Sequence, residues 1–274
     1  MIAGASAHAA GPPEGEDPVM HFAAAVRSRQ SLVGYWVGSD SPAVAERLAS
    51  VGYDYICLDV QHGLLDYPGI LHGLTAVAAA GTGAAGIVRV LPDDPAGIGR
   101  VLDAGARGVI VPLVSTAEQA AAAVAACRYP PAGRRSLGPV RSGLTIGPGL
   151  RAADEEVACI VMIETADGLR NVAEISAVPG VDALYVGPSD LSIALGNEDP
   201  AAGWARPEFP RALAEIRAAA EAAGIGCGMH CNDGDAGARA LADGFTFVSI
   251  SSDLSHLAAI GRDHLARARA GRAQ

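Results

Sequence analysis

The chain carries a repeating beat. From Ser31 onward, short apolar runs alternate with stretches of helical period, and the pair recurs eight times before the C-terminus. Strands are expected at Ser31–Val37, Tyr53–Val60, Gly86–Leu91, Gly108–Val114, Ala158–Glu164, Asp182–Gly187, Ile225–Cys231 and Phe245–Ser251. Helices are expected at Pro42–Ser50, Pro68–Ala80, Pro95–Asp103, Thr116–Cys127, Ala166–Ala177, Pro207–Ala223, Asp233–Ala242 and Leu254–Ala270, after a short one at His21–Arg29. Proline opens several of them, as its fixed φ favours, and Gly52, Gly105, Gly224 and Gly244 stand where helices stop. Eight strand–helix units in about 250 residues predict an α/β fold, a single (β/α)8 TIM barrel, with a doubly wound open sheet as the alternative. The strands are apolar on both faces, as parallel strands covered by helices are. Aromatics make up only 4% of the chain, so the core is expected to be built from Val, Ile, Leu and Ala.

Residues 1–20 are expected to form a disordered leader and residues 21–274 the barrel domain. The leader is small, polar and proline-bearing, without the basic start and apolar run of a signal peptide. The uncharged stretch Pro68–Val88 is interrupted by glycines, a proline and His72, and divides into helix, turn and strand. It therefore predicts no membrane span. Gly81-Thr82-Gly83-Ala84-Ala85-Gly86 matches a dinucleotide-binding pattern but runs from helix to strand, the reverse of what that site needs. A net charge of −10 argues against nucleic acid and against an anionic membrane.

All 20 basic residues are arginine. The absence of lysine excludes a Schiff base, a pyridoxal phosphate linkage and a P-loop lysine. Any carbanion chemistry here needs another electron sink. The five cysteines, Cys57, Cys127, Cys159, Cys227 and Cys231, are odd in number and form no CxxC pair. Four lie in expected strands, as small hydrophobes do, and a reducing cytoplasm is the simplest setting. On a strand, Cys227 and Cys231 share a face and His230 takes the other, which argues against a zinc site.

In a barrel, functional residues belong at the C-terminal ends of the strands. Here those ends carry Asp59 with Gln61 and His62, then Arg89, Pro112, Glu164, Asp190 and His230. Glu164 and Asp190 end neighbouring apolar runs, and two close carboxylates without a base suit an oxygen-seeking divalent cation. The plainer reading is that Glu164 caps a helix and Asp190 makes a turn. Arg89, inside an apolar strand, meets either a ligand anion or a neighbouring acid. His62 is either an acid/base or a surface histidine. Asp103 ends a helix, where an acid opposes the dipole and needs a reason, such as bonding a histidine. Together these residues suggest metal-assisted stabilisation of the enolate of a 2-oxo acid, with Arg89 neutralising oxyanion charge and His62 handling the proton of a 4-hydroxyl, directly or through a water.

Between Leu32 and Leu265 the chain resembles the class II, metal-dependent 2-oxo acid aldolases of the HpcH/HpaI family. The resemblance rests on Asp54-Tyr55-Ile56-Cys57-Leu58-Asp59-Val60-Gln61-His62-Gly63, Val88-Arg89-Val90 with Asp94-Pro95, and Leu102-Asp103-Ala104-Gly105-Ala106. It continues in Val111-Pro112-Leu113-Val114, Arg128-Tyr129-Pro130-Pro131-Ala132-Gly133, Ile163-Glu164-Thr165 and Gly187-Pro188-Ser189-Asp190-Leu191-Ser192. It implies a TIM barrel that assembles as a homo-hexamer and holds Mg²⁺, Mn²⁺ or Co²⁺ on Glu164 and Asp190. It implies His62 as base, Asp103 raising the basicity of that histidine, Arg89 stabilising the transition state and Ser189 touching substrate through its backbone. The reaction implied is reversible cleavage of a 4-hydroxy-2-oxo acid to pyruvate, or a related 2-oxo acid, and an aldehyde. Oxaloacetate decarboxylation or CoA-thioester cleavage on the same site, and a non-catalytic barrel, are the alternatives. Three positions depart from the family pattern. Gln61 replaces a common Glu, Met162 replaces a Gln that reaches the substrate, and His230 stands where an apolar residue often lines the aldehyde pocket. Met162 and His230 are thus expected at the substrate.

Overall fold

The computed structural model describes residues 21–147 and 149–271; the expected leader lies outside the described residues. Eight parallel strands close on themselves in chain order. They are β1 (Leu32–Val37), β2 (Tyr55–Asp59), β3 (Ala85–Arg89), β4 (Gly108–Val111), β5 (Ala158–Ile163), β6 (Ala183–Val186), β7 (Gly226–Cys231) and β8 (Phe247–Ser252). The TIM barrel holds and the open sheet does not, because β1 pairs with both β2 and β8.

Alternation along each strand divides the buried residues into two cores. Outward side chains such as Ile56, Leu58, Val88, Val109, Val161 and Leu184 pack under the helices. Inward ones fill the barrel: Trp36, Tyr55, Cys57, Ile87, Ile110, Ile160, Met162, Tyr185 and Phe247. The inner core is thus far more aromatic than the composition led us to expect. The few aromatics are concentrated where glycines make room. A Cβ on Gly34 would strike the Tyr55 ring, and one on Gly228 the Phe247 ring. Tyr55 and Tyr185 both turn their hydroxyls to Ser249 Oγ, at 2.9 and 2.7 Å, so the polar atoms buried with these rings are satisfied.

The helix Phe22–Arg27 closes the lower mouth. Phe22 enters the inner core, 5.4 Å from the Tyr55 ring centroid. Arg27 and Arg128 converge on buried Asp182 at 2.7 and 2.9 Å, and the backbone N–H of Cys159 donates to the same carboxylate. At the upper end, helix starts are capped by side chains. Asp66, Asp94, Thr116, Thr165, Asp233 and Ser252 each accept a backbone N–H two or three residues into the first turn. Gly52, Gly105, Gly224 and Gly244 do stop helices, all with positive φ.

Two local expectations change. The segment Ala166–Ala177 is not one helix but two, Ala166–Arg170 and Val172–Ser176, broken at Asn171, whose amide donates to Ser115 O at 2.8 Å. The long segment after Tyr129 is not irregular throughout: it contains helices Ser142–Thr145 and Leu150–Glu155. No helix of the described residues is long and apolar enough to cross a membrane. All five cysteines are buried and unpaired. Among the described residues, no three His, Cys, Asp or Glu side chains are grouped as a metal cluster.

Candidate active site

At the upper mouth a cavity of about 410 Å³ is bounded by Trp36, Asp59, His62, Arg89, Met162, Glu164, Ser189, Asp190 and His230. Seven of the eight residues singled out from the sequence meet there, and Asp103 does not. The barrel's own parity explains most of this convergence. Trp36, Asp59, Arg89, Met162 and His230 all stand at inward positions near the ends of their strands.

Arg89 is the last residue of β3 and lies opposite Asp59, the last of β2. Its Nε and Nη2 donate to Asp59 Oδ1 and Oδ2 at 2.9 and 2.6 Å, a bidentate pair. Both groups are largely buried. Burial alone opposes the charge on each, but the paired geometry wins: the Asp59 carboxyl is held below its ordinary range and Arg89 above its own. Asp59 Oδ1 also accepts the backbone N–H groups of Gln61 and His62, at 3.1 and 3.3 Å, and so fixes the turn that presents His62. Of the two readings offered for Arg89, the structure shows the acid partner. Among the described residues Arg89 makes no hydrogen bond through Nη1 in the cavity. Its guanidinium lies 5.0 Å from the centre of the Trp36 ring.

Glu164 follows β5 and is 2% exposed. Its Oε1 accepts the backbone N–H of Leu113 at 2.9 Å. Leu113 takes a left-handed backbone, φ 57°, to turn that N–H inward, which gives the Val111-Pro112-Leu113-Val114 motif its role. Oε2 is buried without a partner. Burial chiefly, and Asp190 in addition, push the carboxyl up to about 7 against the opposing pull of Leu113 N–H and Arg89. Glu164 caps no helix; Thr165 does that, accepting from Gly168 N at 2.9 Å.

Asp190 is not at the end of a strand. β6 stops at Val186, and Asp190 lies in the first turn of a helix, Pro188–Ala194, that the sequence pattern did not reveal. Seven residues with one proline are too short for a clear helical period. Ser189 and Asp190 are both exposed on that turn and face the cavity. Trp204 Nε1 donates to Pro188 O at 3.2 Å and ties the helix down. Gly187 is required beneath it, because a Cβ there would collide with Glu164 Oε2.

Within one chain Asp103 stands apart from the other candidate residues. Its carboxylate accepts from Arg135 Nη2 at 3.0 Å on the outer flank of the barrel, in a separate cleft with Arg100 and Arg134. Within one chain it does not bond His62. The acid at that helix end is explained by Arg135, whose side chain is fully buried there. His62 itself is exposed at the rim of the cavity.

His230 ends up inside, its ring centroid 5.3 Å from that of Trp36 and the two planes nearly perpendicular. Burial first, and the neighbouring Arg89 cation second, push its pKa down to about 4 despite the opposing pull of Asp59, so it is neutral at pH 7. Met162 is 1% exposed and brings only an apolar surface to the cavity wall. Residues the sequence reading left out are Trp36, which touches Arg89, His230 and Tyr185, the anchoring role of Asp59, and the Leu113 N–H. The spacing Asp59-Val60-Gln61-His62 carried a signal for Asp59. Nothing in sequence distinguished Trp36 from a core residue.

The pair Glu164 and Asp190 fits a divalent cation. A buried carboxylate oxygen without a hydrogen-bond donor, beside a second carboxylate, is the oxygen donor set that hard cations prefer. Two protein carboxylates are few for such an ion, which suits one that also binds substrate and water.

Residues 32–259 match the family model HpcH/HpaI aldolase/citrate lyase. The chain is 39% identical over 243 residues to a hydroxypyruvate/pyruvate aldolase of Rhizorhabdus wittichii, covering 88% of this chain and 95% of that protein. It is 38% identical to a 2-dehydro-3,6-dideoxy-6-sulfogluconate aldolase of Pseudomonas putida, covering 83% and 89%. The crystal structure of an HpcH/HpaI aldolase/citrate lyase family protein from Burkholderia cenocepacia superposes with TM-score 0.83 at 34% identity, covering 90% of this chain and 98% of the other. The closed barrel, the strand-end constellation and these matches together make the chain a member of the HpcH/HpaI aldolase/citrate lyase family.

Proposed function

We propose that this protein is a carbon–carbon lyase, a metal-dependent aldolase that reversibly cleaves a 4-hydroxy-2-oxo acid to pyruvate, or a related 2-oxo acid, and an aldehyde. The observation that carries the reading is the unpartnered Glu164 oxygen beside Asp190, facing the Arg89 guanidinium across one cavity. With no lysine in the chain, an enolate needs an electron sink of another kind. Glu164 and Asp190 would hold a divalent cation (Mg²⁺, Mn²⁺ or Co²⁺), which would supply Lewis-acid stabilisation of that enolate.

The chain's own residues supply the rest. Arg89, fixed by Asp59, offers Nη1 to the oxygen on which negative charge develops; a preorganised donor in a partly dry site is worth most at that moment. His62 stands at the open rim and moves the proton of the substrate hydroxyl, removing it in cleavage and returning it in addition. Met162 and Trp36 exclude water from one side. Ser189 sits in the first turn of the helix Pro188–Ala194, where backbone N–H groups lack helical acceptors and can meet a substrate carboxylate. Asp103 has no part in this scheme within one chain, because Arg135 holds it elsewhere.

The remaining calls belong to the same proposal. Assembly as a homo-hexamer is supported by exposed apolar side chains on the helix Asp253–Ala270, Leu254, Leu257 and Ile260 among them. Five unpaired cysteines support a reducing, cytoplasmic setting. Its partners are then small molecules, a 2-oxo acid and an aldehyde. The test supplies pyruvate with a panel of aldehydes and Mg²⁺ or Mn²⁺, and looks for the 4-hydroxy-2-oxo acid by mass spectrometry. A product that vanishes with excess EDTA and in Glu164→Ala supports the reading. Decarboxylation of oxaloacetate without any aldol product would replace it.

A further inference from the structure

Trp36, Met162, Tyr185 and His230 line the same cavity as the two carboxylates. Three of these have nothing polar to offer a ligand. The Tyr185 hydroxyl is committed to Ser249 at 2.7 Å. The Trp36 indole helps hold Asp59 ionised, and Met162 has only a thioether. His230 differs. Within the described residues no hydrogen bond reaches its ring, and neither nitrogen is sealed away from the cavity. Its ring plane is set edge-on to Trp36, and Trp36 is in turn held by stacking on Tyr185 at 5.9 Å and by Arg89. The charged groups facing it are Arg89 and Asp59, which are paired with each other and not with it.

Resting on the aldolase reading above, we propose that His230 is a specificity-determining residue that recognises a hydroxyl group on the reacting carbon of the donor or on the carbon next to the reacting carbonyl of the aldehyde. The preferred substrate is therefore a 3-hydroxy-2-oxo acid donor or a 2-hydroxyaldehyde acceptor over its deoxy counterpart. A neutral imidazole presents one N–H donor and one lone-pair acceptor. A hydroxyl answers whichever nitrogen faces it, since it can both donate and accept. A carboxylate or phosphate would meet a single donor and a repelling lone pair. A methyl group would leave that nitrogen unanswered in a walled site, which is how such sites reject analogues lacking the hydroxyl. Donor and acceptor hydroxyls share this chemistry and are separated by experiment.

The experiment measures kcat/KM for four pairs, pyruvate or hydroxypyruvate with acetaldehyde or glycolaldehyde, in wild type, His230→Phe and His230→Asn. Phenylalanine keeps the flat ring against Trp36 and removes both nitrogens; asparagine restores a donor and an acceptor. Wild type is expected to favour the hydroxylated member of one arm. His230→Phe should erode that preference at least about 10-fold, and His230→Asn should recover part of it. A second readout does not depend on turnover. In ¹⁵N-histidine spectra of the metal-free protein, the resonance absent from His230→Phe should shift with hydroxypyruvate or glycolaldehyde and not with their deoxy partners. An unchanged preference in His230→Phe, or a parallel loss for all four pairs in both variants, overturns the proposal and leaves His230 a packing residue. A wild-type protein inert with every pair overturns the aldolase reading itself, and this inference with it.

Discussion

Glu164→Gln should make the metal-free protein more stable at pH 8. The wild-type carboxyl is 2% exposed, has one hydrogen-bond donor and is pushed up to about 7, from an ordinary 4.5. Its folded-state value lies above the unfolded one. Below pH 4.5 both states hold the proton and the group contributes nothing. As pH rises from there through 7, the unfolded chain releases the proton freely while the folded one resists, so stability falls. The loss is complete above 7 and amounts to about 3 kcal/mol at about 1.4 kcal/mol for each tenfold change in affinity. At pH 5.5 only about 1 kcal/mol of it has been lost. Glutamine keeps the shape and an acceptor for Leu113 N–H, and any cost of its own amide is independent of pH. The advantage of Glu164→Gln over wild type should therefore grow by about 2 kcal/mol between pH 5.5 and 8, or about 4–8 °C in Tm for a domain of this size. Thermal unfolding of EDTA-treated protein at both pH values measures it. Mn²⁺ should raise the Tm of wild type at pH 8 and leave Glu164→Gln where it was. A difference between the two proteins that does not change with pH would refute the account of Glu164 as a strained, uncompensated charge.

Three further perturbations are expected to separate the parts of the site. Asp59→Asn breaks a buried bidentate pair and should cost about 3 kcal/mol at neutral pH. Because the folded value of Asp59 lies below its unfolded one, that cost should shrink as pH falls through the acid range, as followed by denaturant midpoints at pH 7 and pH 3.5. Gly187→Ala must displace Glu164 from its backbone cradle, and should weaken Mn²⁺ binding at least about 10-fold by calorimetry while the far-ultraviolet spectrum stays unchanged. Asp182→Asn leaves Arg27 and Arg128 without their shared carboxylate, and should lower stability by about 3 kcal/mol without altering metal affinity, since it lies at the opposite mouth.

The barrel was legible because its signal is periodic. Each strand repeats an apolar run, each helix a cap and a stop, and the two core faces follow from alternation alone. The site was legible where residues hang on that frame: Arg89, Glu164 and His230 fall at strand ends by counting. It was less legible where the chain leaves the frame. Asp190 sits on a helix of seven residues, too short to announce itself. Leu113 contributes a backbone N–H through a positive φ, which its side chain does not encode. The ion pair of Asp103 with Arg135, remote in sequence and fully buried, was not visible in the sequence either. Trp36 reads as one more core aromatic, and only three-dimensional packing shows it touching Arg89 and His230 together.

The central claim is that Glu164, Asp190 and Arg89 together hold a 2-oxo acid as its enolate. Deuterium exchange into the methyl group of pyruvate, followed by proton NMR in D₂O, tests it without any assumption about the aldehyde. The account predicts exchange with Mg²⁺ or Mn²⁺ that stops with excess EDTA and falls at least about 100-fold in Arg89→Ala. No exchange with any divalent metal, or exchange indifferent to EDTA and to the loss of Arg89, would contradict it.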